Sequence, residues 1–385
     1  MNLTLPDRRS IDFGRRFSFA RKPDYHRAMN FIDNQNAAVP LVEVLRGSMV
    51  ESVHRGVIAA IDASGRVIAS LGDINTRTWY RSAAKPFQTI PLIASGAADH
   101  FNFTPQEIAV ITASHSGESI HLEAVSSILQ KIGLTEADLL CGAHMPFDEA
   151  SAKQLRAAGR PPQVLHNNCS GKHSGMLAFA KFIGEPTANY IDPQHPIQRR
   201  IRDTLVWFAA VHPTAMNDPM DDEIAIAVDG CSAPVFGLSI ATMARGYARL
   251  VAVRHTDIEP GLAAAAEQVV DSMMKFPEMI GGSHGRLDTD LMRTASGRIV
   301  SKVGAEGVQL LGVLPCAQYP KGLGIAIKIE DGDTRRARDP VVIETLRQLS
   351  LLDEYQLSQL SRYARSTVLN YRKIEVGEVR TCFKL

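Results

Sequence analysis

From Leu41 onward, the apolar positions come in short runs rich in β-branched residues, a pattern that is typical of strands. The runs read LVEVLRG, MVESVHRG, VIAAID and RVIAS. Residues 62–65 (DASG) separate the last two runs and have the composition of a hairpin turn. The pattern therefore predicts that an antiparallel sheet opens the fold.

Helical periodicity follows these strands. Helices are predicted over Ser82–Ala94, from Thr104 with Pro105 in the first turn, and over Ile120–Ile132. Further helices are predicted at about 172–183, 195–210, 239–253, 260–276 and 338–350. Strand-like runs lie at Gln163–His166, Ile224–Val228, Arg298–Val303 and Leu323–Glu330. Strands near both ends of the chain thus enclose a helical middle.

This order predicts a fold of the α/β (α+β) class, with a mixed antiparallel sheet from the N- and C-terminal strands and a helical region. No repeat or low-complexity linker divides residues 38–385, so they are expected to form one catalytic domain. Residues 1–37 have no sustained period and are expected to form a flexible N-terminal extension. Their four aspartates argue against a transit peptide.

Composition narrows the class of ligand. Lys and Arg number 42 against 41 Asp and Glu, a formal net charge of +1, which gives no electrostatic signal for nucleic acid or an anionic membrane. A small molecule is the expected partner. The five cysteines are an odd number without close pairing, so we interpret them as reduced thiols. No apolar run is long enough to span a bilayer and no signal peptide is recognisable, which predicts a cytoplasmic protein.

Ser82 and Lys85 have the spacing that brings a hydroxyl and an amine onto one face of a helix, as a Ser-Lys nucleophile requires. Pro86 is tolerated only in a first turn, so Ser82 should lie at a helix N-terminus, where free N–H groups can stabilise an oxyanion. A purely structural role for the pair is an equal alternative at this point. A second match, Ser272 and Lys275, lies in an amphipathic segment and is interpreted as an ordinary helix face.

Two further polar segments follow apolar runs. Ser114 lies in ASHSGE (113–118), which is either an exposed site loop or a helix end with capping serines. Lys302 lies in SKVGAEG (301–307), and its Lys-x-Gly resembles the element that accompanies Ser-x-x-Lys in penicillin-recognising enzymes. Their chain order favours a common site. A neutral lysine needs a strongly lowered pKa, which burial beside a second cation provides.

The densest polar cluster is NNCSGKHSGM (167–176), and DGCSAP (229–234) has a similar composition. Their cysteines, with a histidine and an aspartate on loops, could bind zinc, because thiolate and imidazole are ligands that zinc favours. Neither cysteine belongs to a Cys-x-x-Cys motif, so two buried thiols without a ligand are an equal alternative. Cys141, Cys316 and Cys382 are interpreted as structural.

Several strings together make the chain resemble the rhizobial-type L-asparaginases, also called class 3 or the asparaginase II family, from about Leu41 to the C-terminal region. The strings are HRG (54–56), RSAAKPFQ (81–88), TASHSGE (112–118), HNNCSGKHSGML (166–177), DGC (229–231), GGSHGRLDTDLM (281–292) and SKVGAEGV (301–308). The resemblance implies a glutaminase/serine β-lactamase-like fold, a homodimer, and hydrolysis of L-asparagine to L-aspartate and ammonia.

Each motif that matches the family implies a role for its residues in this chain. The resemblance implies a Ser82 nucleophile with Lys85 as its base, and a second pair of Ser114 and Lys302. The zinc position, with an organising role, maps to Cys169, Lys172 and Cys231. Residues expected near the substrate are Arg81, His173 and Asp229. The chain departs from the family at Ser232, where the family has glycine.

Other functions remain open at this point. One alternative is another serine amidohydrolase, either a glutaminase or a β-lactam or peptidoglycan hydrolase. A second is a zinc-dependent amidohydrolase in which metal-bound water attacks. A third is an amino-acid-binding protein without catalysis, which the combination of Ser82, Lys85, Ser114 and Lys302 disfavours.

Overall fold

The computed structural model describes residues 37–209 and 224–385. The strands are β1 (Val39–Arg46), β2 (Met49–Asp62), β3 (Val67–Leu71), β4 (Arg77–Trp79), β5 (Ala225–Val228), β6 (Pro234–Ser239), β7 (Ile299–Val303), β8 (Val308–Val313), β9 (Leu323–Ile329), β10 (Ser366–Leu369) and β11 (Glu375–Thr381). The first helices are α1 (Lys85–Ala94), α2 (Ala97–His100), α3 (Pro105–Ile111), α4 (Ser119–Lys131), α5 (Glu149–Ala157), α6 (Ser170–Phe182) and α7 (Pro196–Ala209). The later helices are α8 (Ile240–Val251), α9 (Pro260–Lys275), α10 (Pro277–Ile280), α11 (Leu287–Ala295), α12 (Asp339–Gln348), α13 (Glu354–Gln359) and α14 (Ser361–Ala364).

The main sheet joins the two ends of the described chain. Its strand order is β10-β11-β1-β2-β9-β8-β7, with β3 paired to β2, and the pairings are antiparallel. The predicted hairpin between β2 and β3 is present, closed by a hydrogen bond from Gly65 N to Asp62 O. The prediction of an α+β fold whose N- and C-terminal strands share one sheet is confirmed.

Helices pack on both faces of this sheet. Successive side chains of β9 point to opposite faces and contact different helices. The odd residues Leu323, Ile325, Ile327 and Ile329 pack into a core that also contains side chains of α11 and α12. On the other face, α8 packs against β9, β2 and β8. Gly324 allows this contact, since a Cβ there would lie 1.7 Å from the Ala244 carbonyl oxygen of α8.

A second, small sheet was not predicted. It has the order β4-β6-β5, with Trp79 opposite Gly237 and Val228 opposite Pro234. Strand β4 ends immediately before the segment that carries Ser82, and β5 ends immediately before Asp229. This sheet therefore brings two predicted site segments together from distant parts of the sequence.

Local sequence signals predicted the start of several helices correctly. Thr104 forms a capping box with Glu107 at the start of α3, and Pro86 lies in the first turn of α1. One predicted strand is wrong. Val164–His166 is a short 3₁₀ helix, in which the His166 ring accepts the Gln163 N–H and so caps the turn. Two apolar residues are too few to distinguish the alternatives.

The predicted extension, residues 1–37, lies outside the described residues except for Ala37, whose carbonyl accepts the Asp73 N–H. Among residues 37–209 and 224–385, no helix combines the length and apolar character needed to cross a membrane. All five cysteines are free, as predicted for reduced thiols.

Candidate active site

Ser82 lies in a 3₁₀ turn, Arg81–Ala84, that leads directly into α1. The residue before it, Arg81, has φ of +49°, a left-handed conformation that disfavours side chains with a Cβ. Such strain concentrates at functional sites, where surrounding contacts maintain it. Ser82 is half-buried, whereas Lys85 at the start of α1 is only 1% exposed. The turn thus presents the serine at the surface of a site whose lysine is buried.

The Ser114 hydroxyl bridges two lysines. Its Oγ lies 3.1 Å from Lys85 Nζ and 2.9 Å from Lys302 Nζ. Lys85 also donates to the carbonyls of Ala113, at 2.5 Å, and Asn168, at 3.5 Å. Segments separated by almost 190 residues in sequence thus meet at one hydroxyl. The structure brings three of the four predicted catalytic residues into direct contact.

Ser82 does not join this network by a direct bond. Within the described part of the chain, the hydrogen bonds of Lys85 Nζ go to Ala113, Ser114, Asn168 and the Cys169 thiol, and none goes to the Ser82 hydroxyl. Ser82 is linked to Lys85 through the backbone, because its carbonyl accepts the Lys85 N–H. The pairing of the Ser82 hydroxyl with the Lys85 amine stays a prediction.

The surroundings of Lys85 and Lys302 favour the loss of a proton from each amine. Burial lowers the pKa of Lys85. Burial also lowers the pKa of Lys302 to about 7; Asp288 opposes this shift, whereas Lys85 and Arg286 contribute to it. A lysine with a pKa near neutrality can accept a proton from a hydroxyl at physiological pH.

A second cluster contains the predicted metal ligands. Lys172 Nζ lies 2.9 Å from Cys231 Sγ, and the Cys169 and Cys231 thiols hydrogen-bond to each other. The bond from Cys169 and the charge of Lys172 hold the pKa of Cys231 below its ordinary value. The pKa of Cys169 is raised by the same bond and by burial. Cys231 is therefore the thiol of the pair that loses its proton more readily, and although burial opposes it, the neighbouring charges raise the pKa of Lys172.

The donors of this cluster fit a zinc ion chemically. Two sulfurs and an amine nitrogen converge in a buried position, and the buried imidazole of His173 lies beside the Cys231 sulfur. The described residues contain no group of three His, Cys, Asp or Glu side chains arranged to hold a metal. The predicted set differs from such a group because its third donor is a lysine.

The three predicted substrate-binding residues do not all share one surface. Arg81 Nε donates to Asp229 Oδ1 at 2.9 Å, and Arg81 also lies 3.9 Å from Glu306. His173 is fully buried, and its Nδ1 lies 2.6 Å from the Tyr190 hydroxyl. Arg81 and Asp229 thus form a partly exposed pair of opposite charge beside Ser82, whereas His173 belongs to the thiol cluster.

Two site residues escaped the sequence predictions. Arg286 donates to the Ser114 carbonyl at 3.1 Å and to Ser116 Oγ at 2.9 Å. Asp288 accepts bonds from Ser301 and Val303, on either side of Lys302. Both lie in the string GGSHGRLDTDLM, which was noted for its resemblance alone. An arginine and an aspartate two residues apart, between the glycines of GGSHG and an apolar run, were the available signal.

A sequence model described as L-asparaginase II matches residues 42–381. The chain belongs to the L-asparaginase II family. Membership in this family assigns it to the amidohydrolases, with a small-molecule substrate. No curated protein sequence matches the chain.

Solved structures similar to this family member include glutaminases. A probable glutaminase from Bacillus subtilis, complexed with 6-diazo-5-oxo-L-norleucine, has 13% identity and a TM-score of 0.37, with 77% of this chain and 84% of that chain covered. The glutamate form of Mglu has 15% identity and a TM-score of 0.40, with 77% of this chain and 62% of that chain covered.

Proposed function

We propose that this protein hydrolyses the side-chain amide of L-asparagine to L-aspartate and ammonia through an acyl-enzyme. Membership in the L-asparaginase II family supports the reaction class. The observation that carries the proposal is the Ser114 hydroxyl between two buried lysines, next to the turn that exposes Ser82. This arrangement supplies a nucleophile and a path for its proton.

Exposure favours Ser82 over Ser114 as the nucleophile. Ser114 is 3% exposed, whereas Ser82 is half-buried and follows the strained Arg81. In the proposed reaction, Ser82 attacks the amide carbon and Lys85, neutral, takes its proton as the substrate brings the two groups together. Ser114 and Lys302 relay the proton, ammonia leaves after protonation, and water hydrolyses the ester. The N–H of Ser82 itself is the proposed oxyanion donor, because the N–H groups of Ala83 and Lys85 already donate to the carbonyls of Tyr80 and Ser82.

The Arg81–Asp229 pair suits the ends of a zwitterionic amino acid. An arginine binds a carboxylate through two parallel hydrogen bonds, and an aspartate accepts from an ammonium group. The pair is partly exposed, and its arginine directly precedes Ser82 in the chain. In our proposal, Arg81 binds the α-carboxylate of asparagine, Asp229 binds its α-ammonium group, and His173 orients the site from the buried side.

We also propose that Cys169, Lys172 and Cys231 hold a zinc ion. When bound, zinc would supply a positive charge that organises the site. The residues of the chain still provide nucleophile and base. Metal content measured on the purified protein and on Cys231→Ser tests the assignment: about one zinc per chain in the former and loss in the latter are expected. A metal-free protein with full activity would contradict it.

Ammonia release from asparagine and from glutamine tests the reaction. Ser82→Ala should lose at least about a thousandfold in turnover, because no acyl-enzyme can form. Ser272→Ala, in the unrelated Ser-x-x-Lys segment of α9, is the matched control and should keep its activity. Retained turnover in Ser82→Ala would rule out this nucleophile.

The same assay separates the alternatives. Faster release from glutamine would make the protein a glutaminase, and a burst with a chromogenic β-lactam would indicate a β-lactam hydrolase. Loss of all turnover on metal removal, together with an active Ser82→Ala, would favour attack by metal-bound water. Thermal stabilisation by asparagine without turnover would indicate a binding protein.

A further inference from the structure

The buried carboxylate of Asp288 lies at the start of α11 and holds strand β7 on both sides of Lys302. Its Oδ1 accepts from Ser301 Oγ at 2.7 Å and from Gln309 Nε2 at 2.8 Å. Its Oδ2 accepts from Val303 N at 2.9 Å. Asp288 is only 3% exposed. Three hydrogen bonds to β7 and β8 therefore fix the stretch of backbone from which Lys302 projects.

Arg286, two residues earlier, holds the other partner of Lys302. Its Nη2 donates to the Ser114 carbonyl at 3.1 Å and its Nη1 to Ser116 Oγ at 2.9 Å. Ser116 Oγ in turn donates to the Gly281 carbonyl at 2.6 Å. A single short segment thus contacts both the loop that carries Ser114 and the strand that carries Lys302. The 2.9 Å contact between those two residues depends on their alignment.

The charges around this contact are unevenly distributed. The charged and titratable groups that face Lys302 are Asp288 from α11, Lys85 from α1, Arg286 before α11 and Cys169 before α6. Arg286 itself also faces Arg338, Asp339 and Tyr363. The Arg286 guanidinium, and Lys85 whenever it is protonated, oppose a charge on Lys302, and the carboxylate of Asp288 stabilises that charge.

We propose that Asp288 and Arg286 are positioning residues, which hold Lys302 and Ser114 in alignment while Asp288 supplies the negative charge that balances the cations around Ser114. This inference rests on the proposed function, in which Lys302 and Ser114 relay a proton. Neither residue needs to touch the substrate.

Replacing Asp288 by asparagine keeps the size of the side chain and removes its charge. Without that charge, the Lys302 ammonium is less stable, so the amine loses its proton at lower pH. The acid limb of kcat/KM should move to lower pH by roughly one unit. The asparagine also cannot accept all three bonds, so kcat should fall about tenfold. A purely structural role would reduce the rate without moving the limb.

The experiment measures kcat/KM for ammonia release from pH 5 to 9 in three proteins: wild type, Asp288→Asn and Asp290→Asn. Asp290 is the matched control, because it lies in the same helix and contacts Arg362 and Tyr363 instead. Asp290→Asn should keep the wild-type profile. A slower Asp288→Asn enzyme with an unmoved limb would overturn the proposed role of its charge.

Arg286→Lys gives a second variant should Asp288→Asn not fold. It keeps the positive charge and loses the paired contacts to Ser114 and Ser116. We expect kcat to fall about tenfold or more. The pH at which kcat/KM declines on the acid side should not change. Wild-type kcat in this variant would overturn the positioning role of Arg286.

A stability measurement distinguishes failure of this inference from failure of the proposed function. The urea midpoint of Asp288→Asn should lie further below that of wild type at pH 6 than at pH 9, because Lys302 is charged only at the lower pH. In a Lys302→Met background, the loss should not depend on pH. An equal loss at both pH values in both backgrounds would overturn the inference even if the wild type releases no ammonia.

Discussion

The Ser114 hydroxyl carries a single proton and has two amine neighbours at hydrogen-bonding distance. It can donate to one of them only if that amine is neutral and has a free lone pair. Lys302, with a pKa of about 7, is the amine that changes state near neutral pH. The Ser114 hydroxyl can therefore donate to Lys302 only when Lys302 has lost its proton.

This leads to a prediction for the pH dependence of the reaction. Because the pKa of Lys302 is lowered to about 7, its neutral form is lost as the pH falls below that value. We expect kcat/KM to fall about tenfold per pH unit below about pH 7. Steady-state ammonia release between pH 5 and 9 at constant ionic strength measures this.

Lys302→Arg is the control for that profile, because arginine stays protonated over the whole range. Its activity should be low at every pH and show no limb near neutrality. A wild-type profile that is flat from pH 5 to 7 would contradict the role given to Lys302.

Ser232 has a strained backbone at a position where the family that the chain resembles has glycine. Its φ is +70°, in the left-handed region that costs a non-glycine residue about 1 kcal/mol or more. Ser232→Gly should therefore raise the free energy of unfolding by about 0.5–1 kcal/mol, after the extra freedom of glycine in the unfolded chain is subtracted. Urea denaturation measures the change. Ser232→Ala keeps the Cβ and should show no gain; equal stability of the two variants would refute the strain.

At the scale of elements, the close contact between α8 and β9 depends on a glycine, which has no side chain. A Cβ at Gly324 would lie 1.7 Å from Ala244 O and 2.5 Å from Ala248 N, both backbone atoms that cannot rotate away. Gly324→Ala should lower the free energy of unfolding by about 3 kcal/mol, since the helix must move off the sheet. Gly230→Ala is the control, because a Cβ there meets nothing within 4 Å. Similar midpoints of urea unfolding for both variants would contradict this packing.

The sequence was sufficient to predict the helices, strands and turns that have strong local signals. Helix α1 begins where Pro86 requires, α3 begins at its capping box, and the turn at residues 62–65 closes a hairpin. It was insufficient for elements that depend on distant partners. The small sheet exists because Arg77–Trp79 pairs with Gly237–Ser239, far along the chain, and no local periodicity reveals such a pairing.

The same distinction holds for the site. Ser82, Lys85, Ser114 and Lys302 lie in short, recognisable strings, and the structure joins the last three by hydrogen bonds. The carbonyls of Ala113 and Asn168 that hold Lys85 leave no trace in side-chain chemistry, so they could not be predicted. Arg286 and Asp288 have meaning only once their partners on other elements are known.

On the scale of the whole molecule, the last strand completes the sheet next to the first. β11 pairs with β1 from Val42 opposite Thr381 to Arg46 opposite Gly377, and Val379 of β11 is part of the core. Removal of residues 366–385 should leave the edge of β1 unpaired and expose this core. We expect aggregation on expression or a melting temperature lower by about 10 °C.

Removal of residues 1–36 is the paired control and also tests the predicted N-terminal extension. If those residues lie outside the catalytic domain, the shortened protein should keep its melting temperature and its rate of ammonia release. Loss of activity on this deletion would show that the predicted domain boundary is wrong. Thermal unfolding and the asparagine assay on both truncated proteins decide the matter.

The pairing of β1 with β11 also sets a limit on folding during synthesis. A ribosome that adds about 5–20 residues per second needs roughly 20 seconds to a minute to pass from the first strand to the last. Throughout that time, the nascent chain holds a strand edge whose partner has not yet been translated. Lys302 likewise emerges long after Ser82, so the proposed proton relay cannot form before residue 302 has been translated, and the sheet stays incomplete until β11 has been made. Translation that ends before residue 366 would therefore yield a protein with every proposed catalytic side chain and an open sheet edge.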